Sequence, residues 1–96
     1  MATKINKIAI HPHIDCVRNI CGGSPVIKGT RTTVRTIIKF YQAGFSIEDI
    51  LRELPHLSPA DVYDALAFYY DNKVIIDKDI QLNEDTSYWK NLISKK

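Results

Sequence analysis

The stretch from Ser46 to Tyr70 constrains the fold most strongly, because it encodes two short helices with a very brief connection. Each helix is preceded by a serine that has an aspartate three residues later, which is the pattern of a capping box. Pro55 ends the first helix, since the residue before a proline is pushed out of the helical region. Two capped helices separated by three or four residues predict a helix-turn-helix.

Both helices are amphipathic, because apolar residues recur in each at positions i, i+3, i+4 and i+7. These positions are Ile47, Ile50, Leu51 and Leu54 in the first helix, and Val62, Ala65, Leu66 and Tyr69 in the second. A third amphipathic helix precedes them, with Val34, Ile37, Ile38 and Tyr41 at the same spacing. Thr32 or Thr33 caps its start, and Gly44 stands where a left-handed residue ends a helix.

The N-terminal part of the chain predicts a small β element. Residues 4–14 contain a short strand candidate, Ile8–Ile10, that Pro12 ends, and residues 25–28 form a second candidate. The pair Gly22–Gly23 between them marks a change of chain direction. The expected fold is mainly α, with a homeodomain-like or winged-helix-type helix-turn-helix core.

The C-terminal part predicts a helical extension over 73–96 that needs something to pack on, because isolated helices this short are marginal in water. Its apolar residues form two groups. They are Ile76 and Ile80 in residues 73–83, and Tyr88, Trp89, Leu92 and Ile93 in residues 84–94. Such apolar anchors on an otherwise polar segment are typical of a surface that orders on a partner, so all six are predicted to bind one.

Composition and charge narrow the class of protein. Ninety-six residues make one small domain, and no apolar run approaches the roughly 20 residues of a membrane helix. The N-terminus lacks the apolar core of a signal peptide, so a cytoplasmic location is expected. Residues 1–45 hold seven basic residues against one acidic residue, and residues 46–96 hold six against ten. This charge asymmetry favours two different partners. The alternative is that the two halves simply have solvated surfaces of unequal charge.

Four basic residues are candidates for DNA phosphates: Lys28, Arg31, Arg35 and Lys39. Arg35 and Lys39 lie one helical turn apart, opposite the apolar stripe, where a merely solvated face is the alternative. For Arg31 the alternative is structural, with its guanidinium tying the loop to a helix end or to a carboxylate. In a helix-turn-helix the second helix normally enters the major groove. Here its first turns carry acidic side chains instead of basic ones, and carboxylates repel phosphates.

The sequence provides no convincing catalytic or metal site. Cys16, Cys21, His11 and His13 could in principle surround zinc, but their spacings are not the usual paired knuckles. The glycines at 22–23 lack the lysine that a phosphate-binding loop needs. No nucleophile, base and orienting group come together, so we expect neither an enzyme nor a cofactor or metal requirement.

A run of residues from the glycine pair to the second capped helix resembles a known family. The matching residues are Gly23, Pro25, Val26, Ile27, Gly29, Thr30, Arg31, Val34, Gly44, Pro55, Leu57, Asp61 and Val62. Over residues 20–72 the chain resembles the proteins catalogued as domain of unknown function 433, which are small and similar to antitoxins of the VapB type. The Gly-Thr-Arg run in this setting is the most specific part of the match.

The resemblance implies a dimeric helix-turn-helix protein from a type II toxin–antitoxin system. Such an antitoxin would neutralise a PIN-like ribonuclease toxin and bind its own promoter DNA. The expected organisation is an N-terminal arm over 1–22, a helix-turn-helix core over 23–72 and a partner-binding extension over 73–96. The competing hypothesis is a protein-interaction module that binds no DNA, which the acids of the second helix favour.

Overall fold

The computed structural model describes residues 11–17 and 21–83, which form a mainly helical domain with a small two-stranded sheet near the N-terminus. The elements are β1 (Ile14–Asp15), a 3₁₀ turn (Cys21–Gly23), β2 (Val26–Ile27), α1 (Val34–Gln42), α2 (Ile47–Glu53), α3 (Pro59–Asp71) and α4 (Lys73–Leu82). Within the described part of the chain, no helix combines the length and the apolar character that crossing a bilayer requires.

The two predicted capping boxes are confirmed, and they fix the starts of α2 and α3. The hydroxyl of Ser46 accepts from the backbone amide of Asp49, whose carboxylate accepts in return from the amide of Ser46, both at 3.1 Å. Ser58 and Asp61 make the same reciprocal pair at 3.2 and 2.9 Å. Each box satisfies two of the amides that a helix start leaves without partners.

Helix α1 begins and ends as the sequence predicts. Thr33 is the N-cap, and its hydroxyl accepts from the amide of Thr36. At the other end Gly44 takes a positive φ of 94°, which glycine adopts without strain. The amide of Phe45 then reaches back to the carbonyl of Phe40, and the two rings lie 4.9 Å apart between centroids. This is a Schellman end with its usual apolar contact.

The sheet is antiparallel, with Ile14 opposite Ile27 and Asp15 opposite Val26. Its second strand is the predicted one. The sequence predicted that the first strand would end at Pro12, whereas β1 begins after this proline, at Ile14. The backbone at Ile14–Asp15 is the part that pairs with β2. The candidate at Ile8–Ile10 lies outside the described residues.

The core is built around α1, which packs against α2, α3 and α4. Its members are Ile14, Ile27, Val34, Ile37, Ile38, Phe40, Phe45, Ile50, Leu57, Val62, Ala65, Phe68, Tyr69 and Ile76. In α1 the buried aromatic residue is Phe40, whereas Tyr41, predicted on the apolar stripe, is 39% exposed. Phe40 takes the inner position because it also closes the Schellman end against Phe45.

Helix α4 belongs to this core, although the sequence assigned it to a separate extension. A single residue, Asn72, separates it from α3 and changes the chain direction with φ −135° and ψ 41°. Ile76 is fully buried, and Ile80 is partly buried against the same core. The boundary predicted at residue 73 therefore divides elements that pack together.

Candidate functional site

The inner face of α3 carries three carboxylates that bind the segment before β1. In that segment, His11 is only 4% exposed, and its ring lies between two of these carboxylates. Its Nδ1 is 2.8 Å from Oδ1 of Asp64, and its Nε2 is 2.8 Å from Oδ2 of Asp71. The ring can donate to both carboxylates at once only as an imidazolium, because neutral imidazole has a single N–H.

The third carboxylate is bound by His13, two residues further along. Nδ1 of His13 lies 2.9 Å from Oδ1 of Asp61, and the backbone amide of His13 donates to Oδ2 of Asp64 at 2.9 Å. Partial burial opposes ionisation of Asp61, but the bonds from the Ser58 amide and the His13 ring dominate together and hold its pKa below the usual value. The acids of α3 are thus engaged within the chain.

This arrangement changes what α3 can do as the second helix of a helix-turn-helix. The first turns of a recognition helix contact the edges of the DNA bases in the groove. Side chains next to the phosphates are therefore basic rather than acidic. In α3 the first turns carry Asp61 and Asp64, and both are bound by residues 11–13. The His11 ring also packs edge-on against Phe68, at 5.4 Å between centroids, so the segment is seated on the helix.

Arg35, a predicted DNA-contacting residue, is turned towards α4. One guanidinium nitrogen, Nη1, donates to Oδ2 of Asp79 at 3.0 Å and to the hydroxyl of Ser24 at 2.9 Å. That hydroxyl donates in turn to Oδ1 of Asp79 at 2.9 Å. The three residues join α1, α4 and the loop before β2. Arg35 therefore has a structural role in this network, and its guanidinium would have to leave the network to reach a phosphate, so its DNA role stays a prediction.

The remaining predicted DNA-contacting residues lie on and beside the turn between β2 and α1. Lys28 and Arg31 are exposed on that turn, and Lys39 is partly buried on α1. The turn is well fixed, because the Thr30 hydroxyl donates to the Ile27 carbonyl at 2.8 Å and accepts from the Thr32 amide at 2.9 Å. The Gly-Thr-Arg run therefore has a clear structural role.

The same turn is joined to the connection between α2 and α3. The hydroxyl of Thr32 lies 2.7 Å from Nε2 of His56, which stands in that connection. Lys28 and Arg31 are both exposed, so this corner presents a cationic surface beside the helix-turn-helix, with the exposed His56 next to it. The turn, with these exposed residues, is called the basic corner below.

The outer face of α3 is aromatic and exposed. Tyr63 is 59% exposed and Tyr70 is 58% exposed, and the Tyr70 hydroxyl lies 3.5 Å from that of Tyr41 on α1. Positions 63, 67 and 70 of α3 follow one another at intervals of four and three residues, which is the spacing of a helix–helix packing seam. None of the three is charged. This surface of Tyr41, Tyr63, Ala67 and Tyr70 is called the tyrosine face below.

The predicted partner-binding residues of the C-terminal part have different positions. Ile76 has no exposed surface, which is at odds with a partner-binding role, because its side chain already packs within the chain. Ile80 is partly buried against the same core. The other predicted anchors, Tyr88, Trp89, Leu92 and Ile93, lie outside the described residues.

The histidines considered for zinc are committed to carboxylates. Both ring nitrogens of His11 and Nδ1 of His13 have carboxylate partners, and Cys16 is an exposed free thiol. Burial and the neighbouring Asp15 carboxylate raise the pKa of the Cys16 thiol, which disfavours the thiolate that metals prefer. Among residues 11–17 and 21–83, no cluster of three or more His, Cys, Asp or Glu is arranged to hold a metal ion.

Sequence reasoning missed both faces of α3, although each left a signal. Asp64 and Asp71 are seven residues apart and so share a helix face, and His11 and His13 alternate as strand-like residues do. The outer seam was visible as the spacing of Tyr63, Ala67 and Tyr70. Neither signal was recognised, because the sequence analysis explained aspartates as capping residues and tyrosines as core residues.

Comparison with known proteins agrees with this fold. The family model described as "Protein of unknown function (DUF433)" matches residues 14–69, which is more than half of the chain. The chain therefore belongs to the DUF433 family. It is similar to the crystal structure of a DUF433 member protein from Anabaena variabilis, with 28% sequence identity and a TM-score of 0.69. That similarity covers 82% of this chain and 79% of the other. A comparison with curated proteins found no match.

Proposed function

We propose that this protein is a non-catalytic, antitoxin-type binding protein that recognises a partner protein through the tyrosine face. The observation that carries the proposal is the exposure of two tyrosines at seam spacing on α3, next to a third on α1. Tyrosine is enriched at protein interfaces because it offers a large apolar body with a polar tip. The partner class, a PIN-like ribonuclease toxin, comes from the family resemblance, and a cytoplasmic location goes with it.

The chemistry of the tyrosine face suits a helix or strand of another protein. Its central positions carry no charge, so docking would not bury an unpaired charge in an apolar interface. Burial raises the pKa of Tyr69 beneath the surface, aided by a 2.8 Å bond to Asp77, and the bond to Tyr41 raises the pKa of Tyr70. Both shifts favour the neutral phenol, and the exposed hydroxyl of Tyr70 can offer a hydrogen bond to a partner.

The test is co-expression with the product of the adjacent reading frame, followed by co-purification and a ribonuclease assay. We expect the neighbour to be a ribonuclease that the intact chain inhibits. The double variant Tyr63→Ala/Tyr70→Ala should weaken binding by about 2 kcal/mol or more, as truncated aromatic anchors often do. Leu82→Ala is the matched control, because Leu82 is exposed and apolar but lies on α4 away from this face.

Two results would reject the proposal. One is a neighbour that lacks ribonuclease activity or does not bind the chain. The other is equal loss of binding in the tyrosine variant and the Leu82 control, since the effect would then not belong to the tyrosine face. Homodimerisation, also implied by the resemblance, stays a prediction that sedimentation can check with the same variants.

A second candidate function, binding of promoter DNA, is favoured by the basic corner. Lys28 and Arg31 are exposed there on a turn whose backbone is held by the hydroxyl of Thr30. Fixed cations of this kind suit phosphate contacts, which supply much of the affinity of proteins for DNA. Groove reading by α3 is not part of this proposal, because the acids of that helix are engaged by residues 11–13.

A gel-shift titration on the DNA upstream of the gene tests this second function. Lys28→Ala/Arg31→Ala should weaken binding to all sequences, and the salt slope should become shallower by about one unit per lost phosphate contact. Arg35→Gln is the control, because Arg35 is held by Asp79 and should contribute nothing to the slope. Lys39→Ala decides whether the contact surface continues onto α1. Wild-type protein that leaves the DNA unshifted at low salt would exclude this function.

A further inference from the structure

The segment of residues 11–15, called the N-terminal strap below, is held on the inner face of α3 by a buried side chain that can change its charge. His11 is 4% exposed, and its two ring nitrogens each lie 2.8 Å from a carboxylate oxygen, one of Asp64 and one of Asp71. The strap also places Ile14 in the core, where it is 3% exposed. Docking of the strap therefore depends on an imidazole that has an acceptor at both nitrogens.

The bonds of His11 require the charged form of its ring. A neutral imidazole has one N–H, so its second nitrogen would present a lone pair to a carboxylate oxygen. Both of these atoms are acceptors, and the side chain of Asp64 is only 13% exposed, so water can replace little of the lost bond. The imidazolium favours docking, whereas the neutral ring opposes it.

The other charged groups around His11 strengthen this dependence. From α3, Asp61 shares with Asp64 and Asp71 the face to which the strap binds. In the strap itself, the carboxylate of Asp15 accepts from the following backbone amide at 2.9 Å. Like charges on one helix face repel one another, and the cation on His11 offsets part of that repulsion. A neutral His11 ring would leave the repulsion uncompensated.

His13 differs from His11 in what its bonds require. Its ring has one carboxylate partner, with Nδ1 lying 2.9 Å from Oδ1 of Asp61, and its side chain is 39% exposed. A neutral imidazole with its proton on Nδ1 can make that bond. The carbonyl of His13 accepts from the backbone amide of Lys28 at 2.7 Å, and the side chain of Lys28 is exposed. His13 can therefore hold the strap in either charge state.

We propose that the N-terminal strap is a proton-coupled element, which docks on α3 with the His11 ring doubly protonated and is released as the pH rises. A histidine free in water is mostly neutral above about pH 7, so docking above that pH takes up a proton. By linkage, the docking equilibrium constant then falls by up to about tenfold per pH unit. Release uncovers Asp64, Asp71 and the ring of Phe68. The proposal concerns the inner face of α3, so it is independent of the toxin-binding and DNA-binding proposals.

Nitrogen-15 NMR of the imidazole rings, combined with amide hydrogen exchange, tests the proposal on the full chain. At pH 7 we expect both ring nitrogens of His11 to carry protons. The amides of His13 and Ile14 report docking, because they bind Oδ2 of Asp64 and the carbonyl of His11 at 2.9 and 3.0 Å. Their protection factors, corrected for the intrinsic pH dependence of exchange, should fall at least about fivefold from pH 6 to pH 8.

A reference amide separates release of the strap from unfolding of the whole domain. The amide of Phe45 binds the carbonyl of Phe40 at the end of α1, at 3.1 Å, and is not part of the strap. Its protection should change by less than about twofold over the same pH range.

Two variants assign the effect to one residue. His11→Gln carries no titratable group at this position, so its strap amides should be less protected than wild type at pH 6 and should show no fall between pH 6 and pH 8. His13→Gln is the matched control. It removes the exposed ring of the pair and should keep the pH dependence of the wild type.

Three results would overturn the proposal. A His11 ring with a single N–H in a chain whose strap amides stay protected would mean that docking does not need the imidazolium. Strap protection that is constant from pH 6 to pH 8, or that falls together with the Phe45 amide, would mean that the strap is not released by loss of a proton. Loss of the pH dependence in His13→Gln would assign the coupling to His13. The first two results come from wild-type protein, so they decide the matter even if His11→Gln does not fold.

Discussion

The two faces of α3 differ in burial, although both carry residue types that are commonly solvent-exposed on a surface helix. On the inner face, Asp61, Asp64 and Asp71 are bound by histidines of the N-terminal segment. On the outer face, Tyr63 and Tyr70 are more than half exposed. In this helix the charged residues hold the fold together, and the aromatic residues are left available to a partner.

The difference follows from what each face meets. The histidines stand 48 to 60 residues before the carboxylates in the chain, so the charged network forms only when the N-terminal segment docks. Once docked, the network satisfies groups that would otherwise be costly to bury. No described element covers the tyrosines, and their hydroxyls tolerate water. The predictions below test this division, from the largest expected effect to the smallest.

Replacing His11 should have the largest effect on stability. His11→Ala removes a buried ring from two carboxylates and leaves Asp64 poorly compensated, which should lower the free energy of unfolding by about 3 kcal/mol. The control is His13→Ala. The His13 side chain is 39% exposed, so this variant should lower the free energy of unfolding by about 1 kcal/mol or less. Urea unfolding measures both. A loss below that of His13→Ala would mean that the inner face is not held by this network.

The network that joins α1 to α4 should come next. Arg35→Ala and Asp79→Ala should each lower stability by about 1–2 kcal/mol, because both side chains are mostly buried and share hydrogen bonds with Ser24. A double-mutant cycle should give a coupling energy of at least about 0.5 kcal/mol. Strict additivity would show that the contribution of Arg35 to stability does not depend on Asp79, which would contradict the network.

Asp61 links the inner face to the start of α3 and should show a pH signature. Its folded pKa lies below the unfolded value, so its contribution is fully present above about pH 4 and is lost as the pH falls through the folded value. Asp61→Asn should lower stability at pH 7 by about 0.5–2 kcal/mol, as the loss of a cap does. The gap between wild type and variant should close below pH 4. Ser58→Ala, which keeps the carboxylate, is the control for the pH dependence, and a gap that stays constant would contradict the assignment.

The outer face should contribute least to folding. Tyr63→Ala and Tyr70→Ala should each change the free energy of unfolding by about 0.5 kcal/mol or less, because exposed residues outside special contacts rarely matter more. Thermal melts of the single variants measure this. A loss approaching that of His11→Ala would show that the tyrosines serve the fold, and the contrast between the two faces would disappear.

Much of the fold was predictable because its signals are local. The capping boxes at Ser46 and Ser58, the cap at Thr33 and the left-handed Gly44 each act within a few residues. Short-range hydrogen bonds and backbone preference decide these features, so the sequence predicts the helix starts within a residue. The site was less predictable, because Arg35 reads as a solvent-facing cation until α4 is placed beside it.

The amino-acid sequence by itself determined three capped helices, the break at Pro55, the turn at Gly44 and the family to which the chain belongs. Tertiary structure alone decided that His11 and His13 would bind the acids of α3, that Arg35 would pair with Asp79, and that Ile76 would enter the core. The physical reason is range. Caps and turns close over three or four residues, whereas the hydrogen bonds of His11, His13 and Arg35 join residues 44 to 60 positions apart. These bonds, like the burial of Ile76, exist only after the helices pack.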